Sequence, residues 1–501
     1  MKPTLAASAL LGGYLGWRSL GWPLIHDAPL FHYMAWLLGQ GLVPYRDFFD
    51  MNLPGVYLLH WAVLTALGDG DLAWRLFDLG WLALTAVALY AFCVPLGGRP
   101  GAAGAALLFT LYHLAGGAWQ AGQRDFLLCL FLGAGALGLA RAWERPGPLW
   151  PLVTGGAVLA AGLTLKPYAP GLFWLGGLAA GGLAARRAGR APLVGVSAAL
   201  AGGLAVLALV FGWLAWRGGL PAFVAEYTGY VFPFYARLGR EPLWQAIGGH
   251  TYARPLLGLM LALVAWGLAV PARPGFGIRR PLAVAGVIAG VLHFVLQGKG
   301  WEYHLYPVTF FFCALAAPAL RAPEPEATPG ESPRAWPPAP REVARAASVI
   351  LFAATCLVLG AKAVEAMDAP WIDEKARRVA ALARDLGPRV PPGATVQVLD
   401  VTSGGLHALL RIERREPTRF LYDFPFFHDV ADPRIQALRA ELVSGLERAR
   451  PAAVVVMRET WPRAGYERLD AFPALRDLLA RDYSLDVDGD GYRIYAKRRG
   501  S

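Results

Sequence analysis

The sequence predicts a polytopic α-helical membrane protein with a small α/β domain at its C-terminal end. Three observations carry that expectation. Of 501 residues, 56% are hydrophobic and the mean hydropathy is +0.40, more apolar sequence than the interior of a soluble chain this long requires. Apolar runs close to the about 20 residues that a bilayer core demands recur through most of the chain. The basic residues behind the formal charge of +11 sit mostly in short loops between those runs, which fits membrane topology better than nucleic-acid binding.

Taken in order, Met1-Lys2 and the apolar stretch from Thr4 to Leu24 resemble a secretory signal. No cleavage site ends it and further apolar runs follow at once, so it reads as a retained signal anchor. Spans are expected near 4–22, 71–93, 100–116, 125–142, 149–165, 169–185, 191–216, 254–271, 281–297, 304–320 and 343–361, about eleven in all. With Lys2 in the cytoplasm, alternate loops carry Arg99, then Arg141 and Arg145, then Arg186, Arg187 and Arg190, then Arg273, Arg279 and Arg280, then Arg321, Arg334, Arg341 and Arg345. Those loops are basic and otherwise plain, as the positive-inside rule expects. Ala322–Pro340, rich in Pro and Glu, reads as a flexible cytoplasmic linker. The four cysteines lie inside apolar runs and read as inert buried thiols.

The opposite loops mix bases with acids, His and aromatics, which marks a working surface. Pro23–Gly70 is too long and aromatic for a connector, and its apolar stretch Leu53–Leu67 is short for a span, so an interfacial helix is expected there. A second outer segment, from Arg217 to about Arg254, carries Glu226, Tyr227, Tyr230, Tyr235, Arg237, Arg240 and His250; its tyrosines suit an aromatic belt or a sugar platform alike. The chain thus divides into a transmembrane part, 1–361, and an extracytoplasmic α/β domain, 362–501. In the latter, Trp371–Leu386, Ile435–Arg448 and Ala474–Ala480 have helical periodicity, while Thr395–Leu399, Ala452–Met457 and Tyr492–Ala496 read as strands. Asp486-Val487-Asp488-Gly489-Asp490-Gly491 opens like a calcium loop but closes on Lys497, so a hairpin turn is expected. Asp400-Val401-Thr402-Ser403-Gly404-Gly405 lacks the spacing of a phosphate fingerprint and reads as a capping turn.

The first outer segment is the most informative. It runs His26-Asp27-Ala28-Pro29, then Tyr45-Arg46-Asp47-Phe48-Phe49-Asp50-Met51-Asn52-Leu53-Pro54, and meets the second span at Ala73-Trp74-Arg75-Leu76. Gly122-Gln123-Arg124-Asp125 opens the fourth span, Lys166-Pro167 ends another, and Glu302-Tyr303-His304-Leu305-Tyr306-Pro307 enters a late one. This order resembles the GT-C membrane glycosyltransferases, in particular bacterial relatives of the protein O-mannosyltransferases and the lipid A aminoarabinose transferases. In that family an acidic residue follows the first helix, a Pro-containing interfacial helix comes next, and an Arg-Leu pair opens the second helix. Members usually show Asp-Glu where this chain has Asp27-Ala28, and Lys-Pro-Pro where it has Asn52-Leu53-Pro54, which points to a different bacterial branch.

The resemblance implies an inverting transfer of a sugar, hexose or pentose, from a polyprenyl-phosphate donor to an envelope acceptor (lipid, glycan or protein) at the outer face of a bacterial cytoplasmic (inner) membrane. Such chemistry needs a carboxylate to take the acceptor's proton and cations where the leaving phosphate gathers charge. It casts Asp27 as the base, with Asp125 or Asp47 as a second acid. Arg46, Arg75, Arg124, Lys166, Lys299 and His304 are the candidates for the donor phosphate, and Tyr45, Asn52, Glu302 and Tyr303 for substrate contacts. Plainer roles stand beside these: Asp27 as a cap, Arg75 and Asp78 as an intramembrane pair, Asp125 on a helix dipole, Lys166 snorkelling to the interface. No cofactor is expected, and no dense acidic cluster indicates a divalent metal. The alternative function is a transporter or flippase, which would show inverted repeats that this sequence lacks; an envelope scaffold or sensor would explain the tail but not the first outer segment.

Overall fold

Each apolar run read as a span forms helix, because a segment surrounded by hydrocarbon must satisfy its backbone N–H and C=O groups internally. The computed structural model describes residues 2–248, 253–270, 277–321 and 338–498, so residues 322–337 of the expected linker lie outside the described residues. Helices cover Lys2–Arg18, Asp71–Ala115, Arg124–Glu144, Trp150–Leu165, Tyr168–Arg187, Pro192–Trp216, Ala253–Ala269, Arg279–Gln297, Tyr306–Ala316 and Pro338–Met367. The expected spans 71–93 and 100–116 run together as Asp71–Ala115, kinked where Gly98 takes φ 66 between Pro95 and Pro100. Among the described residues six helical segments are long and apolar enough to cross a bilayer. The chain is a polytopic membrane protein.

The chain forms two compact units. The first comprises Met1–Gly21, Arg75–Leu209 and Arg240–Asp368. Within it Arg124–Glu144 packs on Trp150–Leu165 and Tyr168–Arg187, and Arg279–Gln297 packs on Tyr168–Arg187 and Tyr306–Ala316. Small residues set the approach distance: a Cβ placed on Gly97 or Gly101 would come within 2.2 Å of the Ala317 carbonyl oxygen, so any larger residue would push those helices apart.

The second unit takes in the tail Ala369–Ser501 together with both outer segments, Trp22–Trp74 and Val210–Gly239. Its first segment forms the helix Asp27–Gly39 and the Pro-initiated helix Pro54–Leu67, which pack on each other. The short helix Gly405–Arg411 packs on Asp27–Gly39, and the Phe49 N–H donates to the Arg419 carbonyl at 2.7 Å. The tail therefore condenses with the outer segments into one unit. Its sheet has strands β1 (Val396–Leu399), β2 (Ala453–Met457), β3 (Tyr483–Gly489) and β4 (Tyr492–Lys497) in the order β1-β2-β4-β3, with β1 and β2 parallel and the other pairs antiparallel. The wholly apolar β2 is buried at every position, whereas the polar edge strand β3 is largely exposed. Asp490-Gly491 makes the β3–β4 hairpin, with Gly491 at φ 83. The Asp400 carboxylate accepts the N–H groups of Val401, Ser403, Gly404 and Gly405 at 2.6–3.0 Å. It thus supplies internally the anion that such a nest of donors attracts.

Candidate functional site

In the first unit, Asp125 lies in the opening turn of Arg124–Glu144 and is fully buried. Its carboxylate accepts from Lys166 Nζ at 2.7 Å and from His293 Nε2 at 2.5 Å. Lys166 caps the C-terminal end of Trp150–Leu165, where the helix dipole favours a cation. His293 Nδ1 accepts the Ala169 N–H at 3.2 Å, which makes Nε2 the nitrogen that carries the proton. Asp125 is thus the anchor of a Lys–Asp–His chain drawn from three helices.

Three further groups gather around that chain. Lys166 Nζ stands 5.4 Å from the centre of the Tyr303 ring. His304 is 0% exposed, and neither ring nitrogen has a hydrogen-bond partner among the described residues. Arg124, Lys166, Asp125 and His293 all lie close enough to act on it electrostatically. Lys299 sits between Gly298 and Gly300, both at φ 62, a double left-handed turn that side chains resist. It is 7% exposed, and burial first, then the Arg124 charge, push its ammonium down to about 7. Glu302 is half-buried two residues beyond Gly300. In this cluster Arg124, Lys166 and Asp125 act on His304, and Arg124 acts on Lys299.

Arg75 has a different environment. Its Nε and Nη2 donate to Ser19 Oγ at 3.0 and 2.6 Å, and Nη1 donates to Asp78. Asp78 also accepts from Gly122 N at 2.6 Å and His113 Nε2 at 3.0 Å, while His113 Nδ1 meets the Tyr306 hydroxyl at 2.8 Å. Arg75, Asp78 and His113 are each at most 1% exposed. This is the intramembrane pair enlarged into a neutralised network, and it leaves Arg75 aimed at Asp78 rather than at a ligand.

In the second unit, Asp27 is the first residue of its helix; His26, at φ 55, is the cap and makes no side-chain cap bond. Asp27 is half-buried, and it lies near Lys375, whose ammonium burial pushes down to about 8 against the pull of Asp400 and Asp27. Lys375 belongs to the amphipathic helix Pro370–Leu386, polar and outside the apolar spans. Arg46 forms a bidentate pair with the adjacent Asp47 at 2.9 and 2.8 Å, half of the Arg46 side chain remaining exposed. Tyr45 is 1% exposed and donates to the Asn52 carbonyl at 2.5 Å, while Asn52 Nδ2 donates to Asp50 at 2.8 Å. These two polar side chains hold the loop itself.

Other buried polar residues lie in the second unit. Asp50 is fully buried, accepting from Asn52, Tyr57 and, at 2.9 Å, Tyr422; its N–H donates to Glu226 Oε1 at 2.7 Å. Burial and Asp50 hold the Glu226 carboxyl well above its usual range. His32 and His60 meet through their Nδ1 atoms at 2.9 Å, with Trp74 stacked on His60; burial pushes His32 down to about 4. The missed His293 did carry a signal, as an ionisable residue inside an apolar span. Asp50 carried none that separates it from an ordinary turn residue.

No family model matches the chain, and no curated protein does. Solved structures do. The crystal structure of ArnT from Cupriavidus metallidurans in the apo state superposes with a TM-score of 0.61 at 13% identity, covering 98% of this chain and 97% of that one. The same enzyme bound to undecaprenyl phosphate gives 0.58 at 13% identity, over 99% and 98%. ArnT is a lipid A aminoarabinose transferase of the GT-C superfamily. Over nearly its full length, this chain has the GT-C fold that the sequence order resembles.

Proposed function

We propose that the chain is a glycosyltransferase that takes a sugar from a polyprenyl-phosphate donor and passes it, with inversion, to an envelope acceptor. The observation that carries this reading is the gathering of Arg124, Lys166, Lys299 and His304 in the first unit. Cations held at one site stabilise the charge that a leaving phosphate develops. The likeness to an enzyme solved with undecaprenyl phosphate supports the same donor class. Arg75, directed at Asp78, is left out of the phosphate set, and Tyr45 and Asn52 out of the substrate contacts. Asp125 acts through Lys166, which it positions. Arg46 and Asp47 neutralise each other and are assigned to acceptor contacts.

In the proposed step Asp27 accepts the acceptor's hydroxyl proton, the oxygen bonds to the anomeric carbon, and the carbon–oxygen bond to phosphate breaks. The electron pair leaves on the phosphate oxygen, where cations stabilise it. Glu302 and Tyr303 are assigned to the sugar. We place about eleven spans in a bacterial inner membrane by the positive-inside rule, with the N-terminus cytoplasmic and the tail outside. Asp27→Asn is expected to abolish transfer from a purified polyprenyl-phosphate sugar while donor binding persists. Full turnover in that variant overturns the base assignment; movement of substrate across proteoliposomes with no new glycosidic bond overturns the transferase reading.

A further inference from the structure

The second unit contains an open cavity of about 780 Å³. Its wall joins Leu42 and Asp47 of the first outer segment to residues 391–395, 415–419 and 449–452 of the tail. Three guanidinium groups line it, from Arg415, Arg419 and Arg450. Arg419 is held by Glu441 at 2.6 and 3.0 Å. Arg415 donates to the neutral Gln40 amide at 2.9 Å, so its charge is not neutralised by that bond. Arg450 follows the helix Pro433–Ala449 at φ 44, a position where Gly is the low-cost choice. An exposed arginine stands there instead, at the cavity wall.

Small apolar residues make up much of the remaining wall, and Glu416 is its chief polar group. Glu416 accepts from Val398 N–H at 2.8 Å and Gln397 Nε2 at 3.1 Å through Oε1. Its Oε2 is buried with no hydrogen-bond partner among the described residues. Burial holds this carboxyl well above its usual range. Thr395 and Thr418 complete the lining. A bare phosphate would fill a small part of such a volume, and an apolar ligand would strip water from three guanidinium groups without return.

We infer that this cavity is a binding site for a phosphorylated saccharide, its phosphate on Arg415 and Arg450 and its hydroxyls facing Glu416 and the threonines. The inference does not depend on the transferase reading. The test is calorimetric titration of the full-length protein in detergent with glucose 1-phosphate, glucose and inorganic phosphate. Saturable binding of glucose 1-phosphate alone is expected, weakened at least tenfold in Arg415→Gln/Arg450→Gln and unchanged in Lys299→Gln. Both arginines are exposed, so the double variant is expected to fold, which its unchanged Tm would show. Equal binding of glucose or of inorganic phosphate overturns the proposal. So does absence of saturable binding, retention of affinity in the double variant, or loss of it in Lys299→Gln.

Discussion

Donor binding should be coupled to proton uptake at Lys299. In the free protein its ammonium is pushed down to about 7 by burial and by Arg124, so at pH 8 only about a tenth of molecules carry that charge. A bound phosphodiester, which does not titrate in this range, favours the charged form and raises the value towards the ordinary 10.5. Binding at pH 8 then takes up close to one proton, about 0.9. The sign follows: affinity is nearly level below pH 7 and declines as pH rises through the free-state value, until the bound-state value is reached. If phosphate restores the whole shift, affinity falls about fifty-fold between pH 7 and pH 9; if it restores less than half, about tenfold. The assay is calorimetric titration of the polyprenyl-phosphate sugar in two buffers of different ionisation enthalpy. Lys299→Gln should bind more weakly at pH 7 and lose the dependence. A wild-type affinity that is flat from pH 7 to 9, or a Lys299→Gln variant that keeps the slope, refutes this account of the cation cluster.

Three other outcomes follow from buried polar groups. Asp125→Asn removes the counter-charge of Lys166 and should cost about 3–5 kcal/mol, read as a lower Tm in detergent, with partial recovery in Asp125→Asn/Lys166→Met; an unchanged Tm contradicts the clamp. Glu226, whose carboxyl burial holds well above its usual range, should tolerate Glu226→Gln within about 1 kcal/mol, while Glu226→Ala strands the Asp50 N–H and costs about 1–3 kcal/mol. Because its folded-state value is raised above 4.5, wild-type stability should decline as pH rises from there towards that value, and Glu226→Gln should remove the slope. Asp400→Ala deprives four N–H groups of their acceptor and should cost at least about 2 kcal/mol of unfolding free energy; loss of less than half of that would mean water replaces the carboxylate.

The candidate site was legible in part. Arg124, Asp125, Lys166, Lys299 and His304 were marked because each stands at a helix end on the same expected side, and lysine is rare beside arginine here. Their mutual distances were not legible, nor was the neutral network around Arg75, since Ser19, His113 and Tyr306 are far from it in sequence. Strand β3 was seen only as one side of a turn, although Tyr483, Leu485 and Val487 alternate with Ser484, Asp486 and Asp488 in the period of a strand, and it pairs with β4.

By itself the sequence determined the medium and the helices, because the length of an apolar run and the placement of arginine act locally and need no partner. It also marked β1 and β2 as strands, while their parallel pairing came from the tertiary structure. The tertiary structure decided what a charge does once it is buried. Asp125 became an anchor, Arg75 a neutralised pair, and Asp50 and Glu226 a shared-burial pair, according to which distant groups lie within hydrogen-bonding reach. Pairing in a low-dielectric interior depends steeply on distance, and distance between remote residues is the quantity that residue order alone does not contain.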